Sequence, residues 1–528
     1  MILADPRGRP GAARSGGRAT LDDLFNRAVA RRPEALALLD APNREHISDG
    51  EPRRLTYRQA DRMVSAIAGR LRRMGLRTDA VVAIQMASTV ENVLTILGVL
   101  RAGLIAMPLP ILWRRADMVA ALSRIGAVAL IVSGRIGSAD HYELAMQVAA
   151  EIFPIRHVCC YGHNTPDGLV SFDNLFTADE LDPLPAWGEE HAEEPGPGAH
   201  LAAITWDRST DGLIPVARSH AELIAGGLAV ALESRLRQDA ALLSTLTLSS
   251  VAGLATTIVP WLLVGGTLAL HHPFDPDVYV AQLATIGADS VVVPGSIAVH
   301  LTERSRSLTG APAPDVIGVW RAPERLMRTL PWRETAAHMT DILAFGETGF
   351  VAARRGRGGK PAVIPFGMVP APRTPKGSVI SAEIRPTAIG TVAMRGPMVP
   401  QAPFPPGAER GSSPHLRVSA NGYVDTGYAC RPDIAAMVVT GPPPGMVTVG
   451  GYRFALGELQ DMVDRGECGP ATIAALPDAL AGHRLSASAS DRESLQALLR
   501  TRGVNPLLVT AFRDQGPAIG LKAGRQES

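Results

Sequence analysis

Cysteine is scarce in this chain. Four of the 528 residues are cysteine, namely Cys159, Cys160, Cys430 and Cys468. No spacing among them matches a metal-binding pair, and so few thiols cannot cross-link a chain of this size. The sequence therefore argues against a disulfide-rich secreted scaffold and a cysteine zinc site, and it predicts a reducing, cytoplasmic location.

An excess of charge of either sign is also absent. The 52 Lys and Arg residues nearly balance the 51 Asp and Glu residues, which leaves a net charge of +1. No general field would draw a nucleic acid or an anionic membrane to such a surface. We therefore expect no nucleic-acid partner, and we expect ligands to be recognised locally.

The chain lacks an apolar run long enough to cross a bilayer. Its longest uncharged run, 241–270, is interrupted by Pro260 and several glycines, whereas a spanning helix needs about 20 apolar residues. We therefore predict no membrane span. The first 18 residues are rich in Arg and Gly without the apolar block of a secretory signal, and residues 1–20 are predicted to be disordered.

Apolar residues are plentiful, at 46% of the chain, which is enough to build more than one core. From Leu55 to Ser133, strand and helix patterns alternate. A strand at 80–86 precedes a helix that Ser88 can cap, and the pattern runs on to a strand at 128–132. This alternation predicts an α/β fold in which helices cover parallel strands.

Composition divides the chain into a large domain at 21–440 and a small one at 441–528. An acidic connector rich in Pro and Gly splits the large domain into lobes at about 21–186 and 199–440. The small domain follows the stiff run Pro442-Pro443-Pro444, and its pattern predicts a shortened α+β unit.

Four segments carry recognisable motifs. Thr205–His220 contains Ser and Thr and ends in Ser-His, and Leu343–Gly349 contains a Phe-Gly-Glu-Thr-Gly run. Gly422–Asp433 contains a Tyr-x-x-Thr-Gly run, and Met446–Phe454 contains a Gly-Gly-Tyr-Arg-Phe run. In this order and spacing they resemble the AMP-forming acyl- and aryl-CoA synthetases of the adenylate-forming ligase superfamily. The resemblance implies a large N-terminal domain of helix-covered β-sheets and a small C-terminal α+β domain.

The resemblance implies a phosphate-binding loop in the first segment, with Arg208, Ser209 and Thr210 as candidates for ATP binding. Such a loop works because backbone amides converge on phosphate oxygens and a cation neutralises them. The lysine of the family is Ile214 here, and Asp207 and Asp211 add negative charge that opposes a triphosphate unless Arg208 or Arg218 compensates. The alternative is a surface loop that keeps its shape without its ancestral ligand.

The second segment implies contacts to the nucleotide and its metal. Phe345 matches the aromatic residue that lies against adenine, Gly346 follows it in the cofactor-binding set, and Thr348 matches the threonine that contacts the AMP phosphate. The magnesium-binding glutamate of the family is Gly349 here. Glu347, two residues earlier, is therefore the remaining candidate for the metal and for catalysis.

Three further positions depart from the family. Tyr428 stands in place of the aspartate that grips both ribose hydroxyls, and a phenol cannot supply two anionic acceptors. Asp425 is either its substitute or a solvated loop acid. Lys522 is the nearest counterpart of the adenylation lysine, with a frayed tail as the alternative. The acyl pocket is implied at Ser250, which replaces a histidine, and at Gly253, Val293 and Pro294.

Two functional hypotheses follow. In the first, the chain is a ligase that uses ATP and Mg²⁺ to activate a small carboxylic acid as its acyl-AMP, which then passes to CoA or an acyl carrier protein. In the second, it is catalytically silent and binds an acyl or aryl ligand, a thioester or a partner protein without ATP. CoA-thioester chemistry without ATP on the same fold is a third possibility.

Overall fold

The computed structural model describes residues 19–512 except 177–196, 310–312, 329–330, 334–336, 357, 362, 374–378, 434–435 and 467. Residues 1–18 of the segment predicted to be disordered lie outside this range, and so does the predicted lobe boundary at 186. Thr20 is ordered and caps the first helix, since its side chain accepts a hydrogen bond from the Asp23 amide.

The described helices, α1 to α13 in chain order, are Leu21–Arg31, Tyr57–Arg73, Val90–Arg101, Arg115–Ile125, His141–Glu151, His220–Glu233, Val251–Gly253, Val259–Val264, Pro276–Ile286, Gly295–Thr309, Leu456–Asp464, Arg492–Thr501 and Pro506–Thr510. A π-helical stretch, Leu254–Ile258, joins α7 to α8.

The described strands, β1 to β27 in chain order, are Leu36–Leu39, Arg54–Thr56, Val81–Gln85, Ile105–Pro108, Ala129–Ser133, Arg135–Ile136, Ala139–Asp140, His157–Tyr161, Val170–Ser171, Leu201–Ser209, Gly212–Ser219, Ala241–Ser244, Thr267–Leu270, Ser290–Pro294, Asp315–Trp320, Met339–Phe345, Gly349–Arg354, Ile364–Pro365, Gly367–Ala371, Val379–Pro386, Thr391–Arg395, Val424–Asp433, Ala436–Gly441, Met446–Val449, Tyr452–Ala455, Ala471–Asp478 and Gly482–Ala489.

Three large sheets and a two-stranded one, β6-β7, lie in the described part of the chain up to residue 441. A seven-stranded sheet has the order β11-β10-β4-β3-β5-β8-β9 and is parallel except for the β10–β11 pair. An eight-stranded sheet, β17-β16-β15-β14-β12-β13-β1-β2, is parallel except at its two ends. A six-stranded antiparallel sheet has the order β18-β23-β22-β21-β20-β19. The predicted parallel α/β character is therefore confirmed for the first two sheets.

The residues after 441 form a four-stranded sheet, β25-β24-β27-β26, with α11 to α13 packed on a small apolar core of their own. The amide of Met446 donates to the carbonyl of Pro443 at 3.0 Å, so the proline run ends in a turn just before β24. We call residues 446–512 the C-terminal segment.

Helix α3 is buried along its whole length. Its sequence pattern predicts one apolar face, yet the structure also buries Glu91 and Arg101. The prediction that Ser88 caps this helix is wrong. The Asp40 carboxylate accepts the Val90 amide at 2.8 Å instead, since a charged acceptor suits the positive helix end, and the Ser88 hydroxyl donates to the Leu246 carbonyl.

Within the described residues, no helix is long and apolar enough to cross a membrane.

A buried ion cluster beside α3 yields a stability prediction. Arg44 pairs with Asp40 at 2.6 Å and with Glu91 at 2.8 Å, and none of the three side chains is more than 4% exposed. Arg44→Ala leaves buried Asp40 without an ion-pair partner and leaves Glu91 with Arg53 alone, so the free energy of unfolding should fall by about 3–5 kcal/mol. Urea denaturation measures this change. The control Arg58→Ala removes an exposed pair with Glu34 and should cost less than about 1 kcal/mol; equal losses would contradict the prediction.

Candidate functional site

A cavity of about 80 Å³ lies between the large-domain sheets and the β24–β25 hairpin of the C-terminal segment. We call it the Arg321 cavity. It is small beside the roughly 300–1,000 Å³ of typical ligand pockets. Its lining combines aromatic and charged side chains, which include Trp113, Trp206, Tyr452, Phe454, Asp117, Asp207, Arg208, Arg321, Glu347 and Arg453.

The segment predicted to be a phosphate loop forms a β-hairpin. Strands β10 and β11 pair continuously from Ala203 opposite Arg218 to Ser209 opposite Gly212, so only Thr210 and Asp211 form the turn. The Ser209 hydroxyl accepts the Asp211 amide at 3.2 Å. Ladder hydrogen bonds between the strands occupy amides that a phosphate loop would direct at its ligand, and Thr210 is exposed to solvent.

Arg208 is held by two carboxylates. Its guanidinium lies 2.6 Å from Asp117 on α4 and 2.6 Å from Glu458 on α11. Burial raises the pKa of Asp117, and the charge of Arg208 opposes that rise. Arg208 is one of the two arginines that could compensate for the missing lysine, but the structure places it in ion pairs within the protein.

A second ion pair joins the same hairpin to the C-terminal segment. Arg453 pairs with Asp207, whose other carboxylate oxygen accepts the Glu347 amide at 2.8 Å. Both side chains press against Gly346, which has a φ of +56°, so a side chain at this position would collide with them. Gly346 is therefore required here by backbone conformation and by close packing.

The two residues expected to face the nucleotide face each other instead. Phe345 and Tyr428 are each 1% exposed, and their rings meet edge to face with centroids 5.4 Å apart. Burial raises the pKa of Tyr428 to about 12, and Arg453 lies 5.6 Å from its ring centroid. Neither residue lines the Arg321 cavity.

Glu347 is buried beside the cavity, and its carboxylate accepts the Val251 amide at 2.7 Å. Burial raises its pKa to about 7, with Arg218 lowering it and Asp207 raising it further. Arg218 donates to the carbonyls of Glu347 and Thr348, and both Arg218 and Thr348 are buried. Thr348 therefore belongs to this buried framework.

Magnesium does not fit these residues well. In the part of the chain that the structure describes, no three His, Cys, Asp or Glu side chains are grouped as metal ligands. A carboxyl group that titrates near pH 7 and is already bonded to a backbone amide is also a poor ligand for Mg²⁺, which favours ionised, accessible oxygens.

Arg321 differs from the other arginines that line the cavity. Its guanidinium donates to the Ser250 hydroxyl at 2.8 Å and approaches the Gly451 carbonyl at 3.4 Å. Burial lowers the pKa of Arg321. No described residue forms an ion pair with it, whereas Arg208 and Arg453 each have carboxylate partners.

A second donor in the cavity wall also lacks a partner. The indole Nε1 of Trp206 is buried and has no hydrogen-bond acceptor among the described residues. Its ring packs against that of Trp113, with centroids 6.0 Å apart. An unpaired buried N–H is costly, so a ligand oxygen at this point would stabilise the site.

The remaining predicted residues are dispersed. Ser250 lines the cavity and caps α7 through the Gly253 amide at 3.1 Å, whereas Gly253, Val293 and Pro294 lie outside the lining. Asp425 is exposed and accepts the Gly427 amide within its own turn. Lys522 lies outside the described residues.

Sequence reasoning missed Arg321 and Asp117. Arg321 directly follows β15, at the carboxyl end of a parallel strand, where α/β sheets commonly bind ligands. That position was a usable signal. Asp117 lies on α4 and shows its role only once α4 and β10 are brought together.

Comparison with known proteins gives one family and several relatives. The AMP-binding enzyme model matches residues 25–352. Long-chain fatty acid transport protein 1 from Bos taurus is 32% identical over 167 residues, which are 32% of this chain and 23% of that protein. A 2-hydroxy-7-methoxy-5-methyl-1-naphthoate–CoA ligase from Streptomyces carzinostaticus is 27% identical over 199 residues, 37% of this chain and 34% of the ligase. The matches thus span 23% and 34% of the lengths of these two relatives.

Solved structures share the fold. The amide bond synthetase McbA from Marinactinospora thermotolerans superimposes with a TM-score of 0.67 at 18% identity, covering 93% of this chain and 94% of that one. The apo form of MbtA from Mycobacterium smegmatis gives 0.63 at 21% identity, with 96% and 93% covered. The predicted adenylate-forming architecture is confirmed.

The raised pKa of Glu347 predicts a pH-dependent stability. Between about pH 4.5 and 7 the folded chain keeps a proton that the unfolded chain releases, so this stabilisation is full below 4.5 and is lost as the pH rises through 7. Urea denaturation at pH 5 and at pH 8 gives the free energy of unfolding at each pH. The decrease between the two should be smaller by about 2–3 kcal/mol in Glu347→Gln than in the unchanged chain. The exposed control Glu143→Gln should show the same decrease in the free energy of unfolding as the unchanged chain. The same decrease in Glu347→Gln would contradict the assignment of this pH dependence to Glu347.

Proposed function

The chain belongs to the AMP-binding enzyme family, and from that premise we propose that it binds a small carboxylic acid in the Arg321 cavity without using ATP. The observation that carries the proposal is the charge pairing of the cavity. Arg208 and Arg453 are neutralised by the protein's own carboxylates, whereas Arg321 has no such partner among the described residues. A ligand carboxylate would supply the missing negative charge.

The neighbours of Arg321 suit a carboxylate with an aromatic or acyl body. The Ser250 hydroxyl accepts hydrogen bonds from Arg321 and from the Gly253 amide, so its own hydrogen is available to a ligand oxygen. Trp113 and Trp206 provide an apolar wall, and the Trp206 N–H offers a second polar anchor. An acid bearing a further acceptor oxygen would satisfy all these groups.

Three features support independence from ATP. The expected phosphate loop is a paired hairpin. The expected adenine and ribose positions, Phe345 and Tyr428, are buried against each other. Phosphate binding by Arg208 would require breaking partly buried pairs with Asp117 and Glu458, and the loss of such pairs opposes binding.

The second candidate function is formation of an acyl-AMP, with transfer to CoA or an acyl carrier protein. One observation favours it. Both ion pairs that occupy the hairpin, Arg208–Glu458 and Asp207–Arg453, reach to the C-terminal segment. A movement of that segment would release Arg208 from Glu458 and leave Ser209 and Thr210 beside a partly freed cation. In that conformation Phe345 and Gly346 would be the nearest groups to adenine.

Loss of Arg321 should weaken carboxylate binding. Calorimetric titration with benzoate, 1-naphthoate and octanoate should identify a ligand, and Arg321→Gln should bind it about ten- to a hundredfold more weakly because a charge-assisted hydrogen bond is lost. Arg321→Lys should retain part of the affinity, since it keeps the charge without the planar fork.

The matched control for that titration is Arg304→Gln, which removes an exposed arginine paired with Asp277. It should bind as the unchanged chain does. Equal affinities for Arg321→Gln and the unchanged chain would rule out Arg321 as the anchor.

Of the two candidate functions, acyl-AMP formation releases pyrophosphate and carboxylate binding does not. With ATP, Mg²⁺ and each bound carboxylate, we expect pyrophosphate release no faster than in a protein-free control. A relative active as a ligase serves as the positive control. Pyrophosphate release that depends on both the carboxylate and the protein would establish the second function and exclude the first.

A further inference from the structure

A basic cleft of about 1000 Å³ lies in the large domain and shares no lining residue with the Arg321 cavity. It forms where α6, β17 and β19 end close together. Arg235 follows α6, Arg354 is the last residue of β17, and Arg373 follows β19. Lys360, from the loop after β17, completes the group of cations. We call these four residues and the space between them the basic cleft.

The carboxylate nearest to these cations is committed to the backbone. Glu233, the last residue of α6, is 4% exposed. One of its oxygens accepts the Arg354 amide at 2.8 Å, and the other accepts the Arg373 amide at 2.7 Å. Glu233 therefore holds two cleft walls together through main-chain groups, and its carboxylate makes no ion pair with their guanidinium groups among the described residues.

The cations themselves remain available to a ligand. Across the described ranges, no ion pair engages Arg235, Arg354, Arg373 or Lys360, in contrast to the neighbouring Arg355, which is buried against Asp341. The Nη1 group of Arg354 is buried and lacks an acceptor in the same part of the chain. Burial and the charge of Arg235 both lower the pKa of Arg354, and the charges of Asp315 and Glu233 oppose that lowering.

We propose that the basic cleft binds the oligophosphate group of a small molecule. Several cations that surround one space, without ion pairs among the described residues, suit a multiply charged anion better than a single carboxylate, and guanidinium forks match phosphate oxygens. A small molecule fits better than a nucleic acid because the net charge of +1 gives no extended basic surface beyond the cleft. The large volume leaves room for the rest of such a molecule.

Titration with inorganic tripolyphosphate at low ionic strength tests the proposal. The unchanged chain should bind it, and the double variant Arg235→Gln/Arg354→Gln should bind roughly a hundredfold more weakly, about tenfold for each lost guanidinium. Arg465→Gln, an exposed arginine in the C-terminal segment, is the matched control and should bind normally. Absence of binding to the unchanged chain, or equal affinity in the double variant, would overturn the proposal.

Two further measurements keep the test decisive. Arg354 is partly buried, so thermal melting must show that the double variant folds; if it does not, Arg235→Gln/Lys360→Gln removes two more accessible charges and should weaken binding similarly. Arg321→Gln should bind tripolyphosphate normally, which separates this cleft from the carboxylate site.

The source of the phosphate is distinguished by competition. Displacement of tripolyphosphate by CoA would support an organic phosphate as the ligand, and failure of CoA to displace it would leave inorganic polyphosphate as the ligand. Tight binding of single-stranded RNA with no response to tripolyphosphate would contradict the small-molecule assignment.

Discussion

Charge pairing between the β10–β11 hairpin and the C-terminal segment determines what the Arg321 cavity can hold. Asp207 and Arg208 are adjacent in sequence, and each pairs with a charge from that segment, Arg453 and Glu458 respectively. A buried or half-buried charge is costly without its partner, so the two pairs fix the hairpin, the segment and the cavity wall as one unit. Of the three arginines that line this cavity, Arg321 alone has no ion pair among the described residues.

Under the proposed function, the same pairing would let a family fold keep its shape without its usual ligand. Strand pairing gives the backbone amides of the hairpin their hydrogen-bond partners. Asp207 and Arg453 fill the volume next to Gly346. Tyr428 packs on Phe345 where a polar nucleotide contact would otherwise be needed. Under the proposed function, hydrogen bonds, ion pairs and aromatic packing within the protein would take the place of the interactions that a nucleotide would make.

Local pattern predicted the architecture well and the site poorly. The strand and helix around α3 were predictable because periodicity is a property of neighbouring residues. The cap of α3 was not, since Asp40 arrives from a point fifty residues away and displaces Ser88. The likeness of the first motif to a family predicts a loop, whereas the structure pairs its residues in the β10–β11 hairpin. Arg321 belongs to no motif, and only tertiary structure shows that it has no ion-pair partner among the described residues.

The changes from the family pattern are linked by electrostatics. Ile214 and Tyr428 stand where the family has a lysine and an aspartate. Arg208 and Asp207 carry one charge of each sign nearby, and both form ion pairs within the protein. A carboxylate at position 428 would add a third acid beside Asp207 and Glu347, whose pKa is already raised to about 7. Arg453 could not neutralise all three. A neutral aromatic residue at 428 avoids that repulsion and gives Arg453 a ring to pack against, so Asp207 and Tyr428 are best understood as mutually dependent substitutions.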